Sequence, residues 1–535
     1  MDAPPVKIDG SPPARLRRLL TASVVIAALA IVPSAAASDS HKPSDADTFV
    51  ESIGVNTHTY YSDTVYGEQF GTVKQRLAEL GVRHIRENLE PERPDQYQGL
   101  RELAGMGVKS TLILGDPSGG TEELDTLTSI LGSELQGAVD AVEGPNEFDT
   151  RGGSDWQPRL AEYQQQLYDK VKGNPALASL PVIGPSIIHR QSQEAMGDIP
   201  GMLDYGNIHS YPNGEAPEGN LTPYLEHAAT NSGSKPVMAT ETGYHNALNW
   251  NGEHNPTSEE AAATYLPRLF LEYFRRGVSR TFSYELLDEK PDPGLGDRES
   301  NFGLLHNDLS PKPAFVALRN MIEILRDPGP SFEGSPIDYT VSGDRGGLHE
   351  VLLQKRDGSF YLALWRASSV WDPTSRANVA APEGTVDVEL QRTVSSAVEY
   401  VPNVSPDPVA TLPAGTNQLE VKVGAQAVVV KIVPGGKVQP GRIQLWLSKH
   451  SVPAGGRVAI KGRLPKQMTG HSLPVKIQRL GKHGWGTVGR SHTSKSGVFR
   501  KKIRVPARAG ARASRLRVVA RTAKPSKSVR LRIRS

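Results

Sequence analysis

Two glutamates, Glu147 and Glu241, follow strand-like segments, and together they have the residue types for acid–base and nucleophilic chemistry on a sugar. Glu147 ends the segment VEGPNE, and Glu241 lies in MATETG. Retaining glycoside hydrolysis uses two carboxyl groups about 5 to 5.5 Å apart, one that protonates the departing oxygen and one that attacks the anomeric carbon. The sequence therefore predicts Glu147 as the acid/base and Glu241 as the nucleophile, provided that the fold brings them together.

The residue before Glu147 supports this assignment, although the pair alone is a common dipeptide. Asn146 is placed to hydrogen-bond the sugar 2-hydroxyl, an interaction that strengthens in the transition state. The alternative is that Glu147 is an acid at a barrel rim or a helix cap. As an acid, Glu147 must be protonated when substrate arrives, so we expect burial and the charge of Glu241 to raise its pKa.

The elements that must position these residues alternate between short apolar segments and segments of helical period. Helical spacing is clear where Phe70, Val73, Leu77 and Leu80 recur before Gly81, which suits a helix C-cap. This rhythm predicts a (β/α)8 barrel over residues 48–325. The competing doubly wound sheet is disfavoured because no glycine-rich phosphate turn follows the first strand. The eight predicted strands lie in 49–58, 82–88, 108–116, 139–147, 180–187, 205–212, 235–243 and 279–289.

In a barrel of this kind the site is built at the C-terminal ends of the strands. Glu147 closes the fourth segment and Glu241 closes the seventh, which face one another across the barrel mouth. After the barrel, short alternating strands predict an all-β sandwich domain over 337–434. A Gly- and Pro-rich linker at 433–441 precedes an immunoglobulin-like sandwich over 441–535.

The barrel segment resembles the clan A glycoside hydrolases, whose signature is Asn-Glu after strand four and Glu at the end of strand seven. The stretch HSYP (209–212) resembles the His-x-Tyr stretch of family 5 enzymes, and NFGLLHNDLSPKPAF (301–315) resembles the approach to the last helix in families 5 and 39. The resemblance, which covers about residues 48–330, implies retention of configuration and no metal or organic cofactor. It also implies that Tyr211 hydrogen-bonds the nucleophile, that His209 lines the site, and that Arg86 orients the nucleophile.

One departure from the clan concerns strand eight, which often ends in a Trp under the reacting sugar. Here the segment is SYELLDE, so Tyr284 or Glu285 is expected in that neighbourhood. Trp156 and Trp250 follow strands four and seven and are candidate sugar-stacking residues, although each could instead cover local apolar surface.

Further polar residues near the strand ends are weaker candidates. Asn56 and His58 follow strand one, and His58 could be a hydrogen-bonded rim histidine. Asp149, Asp288 and Glu289 are expected as rim charges. A metal site is not predicted, because no HxH or HExxH spacing connects the four histidines near strand ends, which are His58, His84, His209 and His245.

The N-terminus is typical of a secretory signal peptide. Arg15, Arg17 and Arg18 precede an apolar run from Leu19 to Val32, and the small residues that follow predict cleavage near Ala37. We therefore expect a signal peptide over 1–37 and a secreted or wall-associated protein without a transmembrane anchor, an uncleaved anchor being the alternative. The absence of cysteine excludes disulfides and thiolate chemistry.

The charge is distributed very unevenly. Residues 436–535 hold 26 of the 61 Lys and Arg residues and no Asp or Glu, which leaves 35 basic against 58 acidic side chains before them. Such a domain is expected to bind an anionic partner, here an anionic cell-wall polymer rather than nucleic acid. The alternative is a solvated basic surface with no particular partner.

Two functions remain open. The first is a glycosidase that cleaves β-type linkages in an extracellular or cell-wall polysaccharide, with glucan, xylan, galactan, arabinan and exopolysaccharide as substrates. The second is a catalytically inactive carbohydrate- or wall-binding adhesion protein. We expect the enzyme, because an inactive barrel has no reason to keep both carboxylates together with Asn146, Arg86 and Tyr211.

Overall fold

A computed structural model describes residues 40–437, 443–464, 472–481, 484–505, 513–520 and 525–534. The predicted signal peptide, 1–37, lies outside these residues. None of the helices in the described ranges is both long and apolar enough to span a membrane.

Eight parallel strands form a nearly closed barrel. They are β1 (Ile53–Asn56), β2 (His84–Asn88), β3 (Lys109–Ile113), β4 (Val139–Glu143), β5 (Val182–Ile183), β6 (Gly206–His209), β7 (Val237–Thr242) and β8 (Thr281–Ser283). The hydrogen-bonded order is β5-β4-β3-β2-β1-β8-β7-β6, and a parallel bridge between Ile183 and Tyr205 joins its two ends. The (β/α)8 prediction is confirmed, and the open doubly wound sheet was the wrong alternative.

Helices lie between the strands, and the first of them occupies residues predicted as the start of the first strand. That strand begins at Ile53 rather than at residue 49, because a helix capped by the Asp45 side chain precedes it. The predicted helix before Gly81 is confirmed, with Gly81 at φ 82° and its N–H bonded to the Leu77 carbonyl. The α-helices are Ala46–Glu51, Val65–Glu68, Phe70–Leu80, Pro94–Gly105, Gly120–Ser133, Phe148–Arg151, Trp156–Gly173, Arg190–Met196, Leu221–Ser232, Glu259–Arg275 and Pro313–Leu325, with 3₁₀ turns at Pro200–Met202 and Glu299–Asn301.

A β-sandwich follows the barrel. Its four-stranded sheet contains Ser40–His41, Ile337–Gly343, Gly384–Leu390 and Gln418–Val423; its six-stranded sheet contains Ser44–Asp45, Leu348–Gln354, Phe360–Arg366, Arg392–Tyr400, Ala410–Leu412 and Val428–Lys437. The strand Phe360–Arg366 is buried at all seven positions. One of its faces contacts the barrel core through Tyr361, Ala363 and Trp365, and the other packs inside the sandwich. A strand covered on both faces explains the continuous apolar run FYLALW.

Residues that precede the barrel in the chain also form strands of the sandwich. Ser40–His41 pairs with Ile337–Gly343, and Ser44–Asp45 pairs with Leu348–Gln354. The sandwich therefore includes a segment outside the predicted range of 337–434. Two-residue edge strands have too little hydrophobic pattern to be predicted from sequence.

A hairpin of the sandwich, Trp371–Asp372 with Ala377–Asn378, reaches the loop that follows β7. The Arg376 guanidinium donates to the carbonyl oxygens of Leu248 and Trp250. The hairpin therefore ties the sandwich to a loop at the barrel mouth.

The C-terminal domain has two mainly antiparallel sheets that enclose its own apolar core, which includes Ile460, Ile477, Phe499 and Val518. The three-stranded sheet contains Gln444–Leu447, Arg457–Arg463 and Val498–Arg504. The five-stranded sheet contains Ser451–Pro453, Pro474–Gly481, Gly484–His492, Ala513–Ala520 and Val529–Arg534.

An ion pair whose side chains are almost entirely enclosed lies where the barrel meets the sandwich. Arg268 donates to both carboxylate oxygens of Glu218 (2.8 and 2.5 Å) and to the Ser368 carbonyl oxygen, while Trp365 Nε1 donates to Glu218 Oε1 (2.8 Å). Loss of the arginine alone would leave a buried carboxylate without its counter-charge.

We predict that Arg268→Met lowers the free energy of unfolding by about 3 to 5 kcal/mol, the usual cost of breaking a buried pair. The double variant Arg268→Met/Glu218→Gln should recover much of the loss, because it removes the charge and keeps an acceptor for Trp365. Urea unfolding followed by fluorescence measures both, with Arg101→Met as control because Arg101 pairs with Glu134 at the surface. An equal loss in the single and double variants would contradict the prediction.

Candidate active site

Arg86 lies at the centre of a buried polar cluster inside the barrel mouth. Its Nε and Nη2 donate to the two carboxylate oxygens of Glu143 (2.6 and 2.7 Å). Its Nη1 donates to Glu241 Oε1 (2.7 Å) and Asn56 Oδ1 (3.0 Å), and Nη2 also reaches Asn146 Oδ1 (2.7 Å). One side chain from β2 thus fixes groups from β1, β4 and β7 and the turn after β4.

Glu143 is the functional residue that the sequence analysis missed. It is fully buried at the end of β4, and besides Arg86 it accepts a hydrogen bond from Asn207 Nδ2 (3.0 Å). A carboxylate inside the apolar run VDAVE was a usable signal, because a buried charge requires a partner. Glu143 holds the arginine in one orientation, so the remaining guanidinium N–H groups point toward Glu241 and Asn146.

Glu241 is bonded on both of its carboxylate oxygens. Oε1 accepts from Arg86, and Oε2 accepts from the Tyr211 hydroxyl (2.7 Å). Burial and the charge of Glu241 raise the pKa of Tyr211 far above its usual value, so the hydroxyl remains a donor. These bonds suit an ionised carboxylate held in one orientation, and the structure brings Tyr211 and Arg86 to Glu241 as the resemblance implied.

Glu147 lies four residues beyond the end of β4, in a turn with an uncommon backbone. Its φ is 48°, in the left-handed region, and its N–H is bonded to the Ser186 carbonyl oxygen (3.1 Å) and hydroxyl (3.0 Å). The side chain is 29% exposed, whereas that of Glu241 is 10% exposed. A carboxylate oxygen of Glu147 lies within 4.8 Å of one of Glu241.

His209 joins the two glutamates, and its hydrogen bonds define which ring nitrogen carries a proton. Asn207 uses both Nδ2 hydrogens on Glu143 and the Gly184 carbonyl, so its Oδ1 is an acceptor, and the Thr240 hydroxyl donates either to it (2.7 Å) or to Glu143 Oε1 (3.1 Å). Thr240 has then given away its only proton and must accept from His209 Nε2 (3.0 Å). The other nitrogen, Nδ1, lies 2.7 Å from Glu147 Oε1. His209 and Glu147 therefore share one further proton.

The pKa expectation for Glu147 was wrong. Burial raises the pKa of its carboxyl, but the hydrogen bond with His209 and the positive charge of Arg86 outweigh burial and hold that pKa below its usual value. Conversely, burial lowers the pKa of His209, while Glu241 and Glu147 raise it above its usual value. The two opposite shifts share one cause, the short contact between the His209 imidazole and the Glu147 carboxylate.

The end of β8 presents Tyr284 and not Glu285 to the mouth. The Tyr284 ring lies 6.5 Å from the Tyr211 ring and 5.2 Å from the Phe302 ring, measured between centroids. The Glu285 side chain is 0% exposed and accepts from the Tyr66 hydroxyl (2.9 Å), with His58 Nδ1 at 3.1 Å. Glu285 as a direct substrate contact is therefore wrong, since neighbouring residues enclose its carboxylate.

His58 and Glu285 form a second titratable group with Glu289. His58 Nδ1 lies 2.6 Å from Glu289 Oε1, and the His58 ring stacks on Tyr61 at 4.8 Å. Burial raises the pKa of Glu285 to about 7, although His58 opposes the shift. Burial would lower the pKa of His58, but the charges of Glu285 and Glu289 raise it well above 6.5.

The two candidate tryptophans occupy different environments. Trp156 begins a helix and packs against an apolar cluster that includes Phe148 and Leu160. It therefore covers local apolar surface, as the alternative interpretation held. Trp250 contacts the Arg298 guanidinium at 5.7 Å and donates Nε1 to the Glu253 carbonyl oxygen. In the same loop, His254 contacts the Tyr211 ring at 5.1 Å, a neighbour that sequence reasoning missed because loop conformation carries no periodic signal.

The predicted rim charges have structural partners. Asp149 accepts from the backbone N–H groups of Ile188 and His189, and Asp288 is buried with Lys312 (2.9 Å). His84 begins β2 and bonds Glu51 and Asp140, at the opposite end of the barrel from the mouth. His245 donates from Nε2 to the His254 carbonyl oxygen (2.8 Å) and accepts at Nδ1 from the Ala247 N–H (3.3 Å).

Two sets of side chains in the described residues have ligand atoms close enough to hold a metal ion: His58 with Glu285 and Glu289, and His209 with Glu147 and Glu241. In the second set, Arg86, Tyr211 and Thr240 already bond the same carboxylate and imidazole groups. These hydrogen bonds hold the three side chains of the second set close to one another.

The fold and site define a (β/α)8-barrel protein with two glutamates facing one another at the mouth. No known family model and no curated protein matches the chain. Similar solved structures include a Rhizomucor miehei β-1,3-glucanosyltransferase mutant with laminaritriose (22% identity, 49% of this chain and 96% of that one, TM-score 0.40). A bacterial orthologue of human α-L-iduronidase is 13% identical over 93% of this chain and 98% of that one, with a TM-score of 0.46.

A third similar structure, CelM2, a bifunctional glucanase-xylanase from a metagenome library, is 10% identical over 75% of this chain and 98% of that one, with a TM-score of 0.45. The fold assignment rests on the strand order and the hydrogen-bond register of the chain itself.

We predict that Glu285 makes stability depend on pH. Its pKa is about 7 when folded against 4.5 ordinarily, so the folded chain binds this proton more tightly. The stabilisation is present below about pH 4.5 and is lost as the pH rises through 7; the raised pKa of His58 has the same sign above 6.5. Between about pH 5 and pH 7.5, the wild type should lose on the order of 2 kcal/mol relative to Glu285→Gln, measured by urea unfolding. If the free energy of unfolding of the wild type and of Glu285→Gln changed equally with pH, this prediction would be contradicted.

Proposed function

We propose that the protein is a retaining glycoside hydrolase of the clan A type that cleaves a β-type linkage in an extracellular or cell-wall polysaccharide. The observation that carries the proposal is a close pair of carboxylates with different partners. Arg86 and Tyr211 bond Glu241, whereas His209 bonds Glu147. The nearest oxygens of the two glutamates lie within 4.8 Å, which fits the about 5 to 5.5 Å carboxyl separation of retaining enzymes better than the about 6.5 to 9.5 Å of inverting ones.

In the first step, Glu241 attacks the anomeric carbon. Arg86 and Tyr211 orient its two oxygens, so the carboxylate needs little reorganisation to reach the sugar. The glycosidic oxygen takes the proton held by the His209–Glu147 pair and leaves as an alcohol. Asn146 lies on Arg86 beside the site and is placed to bond the 2-hydroxyl of the sugar.

In the second step, a water molecule replaces the departed alcohol. The Glu147 carboxylate, partly exposed at the mouth, takes a proton from this water, which attacks the anomeric carbon and releases Glu241. The proton returns to the His209–Glu147 pair, so the cycle balances. Two displacements at one carbon give net retention, and neither step requires a metal or an organic cofactor.

Tyr284 takes the place that a tryptophan occupies in many clan A enzymes. Its ring borders the mouth beside Tyr211 and Phe302 and is placed to contact the sugar bound over Glu241. Secretion through the 1–37 signal peptide would place the barrel beside polysaccharide outside the cell.

We predict that Glu241→Gln and Glu147→Gln each lower kcat/KM by about a thousandfold or more, because each removes a reacting group. Release of reducing ends from a polysaccharide panel and of chromophore from aryl β-glycosides measures the loss. Asp149→Asn is the matched control, since Asp149 accepts backbone hydrogen bonds near Glu147 and should leave the rate within about twofold. Activity that survives Glu241→Gln would contradict the assignment.

Azide separates the two roles. With an activated aryl glycoside, Glu147→Ala should be reactivated by azide and yield a glycosyl azide of retained configuration, because azide replaces water in the second displacement. Glu241→Ala should yield the azide of inverted configuration. The opposite pairing of variant and product would exchange the two assignments.

We predict that His209→Gln moves the basic limb of the kcat/KM profile to lower pH. The pKa of His209 is raised, so the pair keeps its proton above pH 6.5; without the imidazole, Glu147 must keep it alone. Gln preserves a donor toward Thr240. A profile that falls in amplitude without moving would show that His209 only supports the packing of the site.

A further inference from the structure

The C-terminal domain carries a dense set of cations on a small β-sandwich. Its sequence contains no acidic residue, and no side chain of the described residues in 443–534 forms an ion pair with an acid elsewhere in the described chain. The positive charges of the domain are therefore not neutralised within the part of the protein that the structure describes.

The outer side of the three-stranded sheet concentrates these cations, and we refer to it as the basic face. Strand pairing sets Arg457 opposite Arg504 and Lys461 opposite Arg500, and Trp446 lies beside Lys461 on the next strand. All of these side chains are exposed, while the alternate residues Val458, Ile460 and Phe499 turn into the core. The members of the basic face are Trp446, Arg457, Lys461, Arg500, Lys502 and Arg504.

Like charges directly opposite one another across a sheet destabilise the pairing. The basic face holds two such pairs, and the five-stranded sheet holds two more, Lys476 with Arg490 and Arg515 with Arg530. Four uncompensated pairs in one small domain are a cost to folding that anions bound across the strands would relieve.

The spacing of these charges suits a linear polymer. Arg500, Lys502 and Arg504 are alternate residues of one strand, about 7 Å apart, and Arg457 and Lys461 flank them on the neighbouring strand about 4.8 Å away, so the cations form an extended row. Trp446, 51% exposed and paired with Lys461 on the neighbouring strand, adds a flat apolar face on which a sugar ring can stack.

We infer that the basic face binds an anionic polysaccharide, with carboxylate or phosphodiester groups on Lys461, Arg500 and the flanking arginines and a sugar ring on Trp446. The choice of a polysaccharide over nucleic acid or an anionic membrane rests on the proposed function and on Trp446. The charged surface itself does not depend on hydrolysis, because no residue of the barrel mouth takes part.

The test measures binding of the full chain to polygalacturonate, with its methyl ester as the uncharged polymer. All variants carry Glu241→Gln, so that any hydrolysis is suppressed and failure of the proposed activity does not affect the result. We expect binding to polygalacturonate that weakens steeply with salt and little binding to the ester. Lys461→Glu/Arg500→Glu should weaken binding by about tenfold or more, and Trp446→Ala by about threefold or more.

The matched control is Arg345→Glu/Arg392→Glu, which makes the same change in net charge on the exposed surface of the other sandwich. An equal loss in both double variants would assign binding to net charge alone and overturn the proposal. Tighter binding to duplex DNA or to phosphatidylglycerol vesicles than to polygalacturonate at the same salt would also overturn it, as would unaltered binding by Trp446→Ala. Circular dichroism of each variant checks that the sheets are retained.

Discussion

The site depends on one buried cation. Arg86 donates five hydrogen bonds to Glu143, Glu241, Asn56 and Asn146, and a guanidinium removed from water is tolerated only when its donors are satisfied in this way. With one shared proton, the His209–Glu147 pair has no net charge. The remaining charges are those of Arg86, Glu143 and Glu241. The cluster thus keeps one net negative charge, on the side where a positively charged sugar transition state develops.

The rest of the barrel holds this arrangement in place. Asn56 donates to the Thr240 carbonyl and accepts from Arg86, so β1, β2 and β7 are joined by side chains as well as by the strand ladder. Asn207 and Thr240 fix the proton on His209 Nε2. The sandwich contributes indirectly to the site. Its Arg376 bonds the loop after β7, and His254 of that loop contacts the Tyr211 ring.

Periodicity and strand-end position were sufficient to predict the barrel and the two glutamates at its mouth, whereas the convergence of Arg86, His209 and Tyr211 on them was implied by the resemblance to the clan A glycoside hydrolases. Periodicity and position did not identify Glu143, because a carboxylate in an apolar strand signals a buried partner without showing which neighbour supplies it, and they did not predict the burial of Glu285. The pKa of Glu147 was misjudged for a related reason: burial and Glu241 were considered, whereas the short contact with His209 depends on the pairing of β6 with β7. Nonlocal contacts of this kind leave no trace in local spacing.

The most direct test of the account is the configuration of the sugar at the moment of its release. Proton NMR that follows an aryl glycoside hydrolysed by the wild type resolves the first anomer formed before mutarotation. A first product with the configuration of the substrate is predicted, because Glu241 and Glu147 lie close enough for double displacement. A first product of inverted configuration would contradict the central claim, since it would mean that water attacks directly and that Glu241 forms no bond to the sugar.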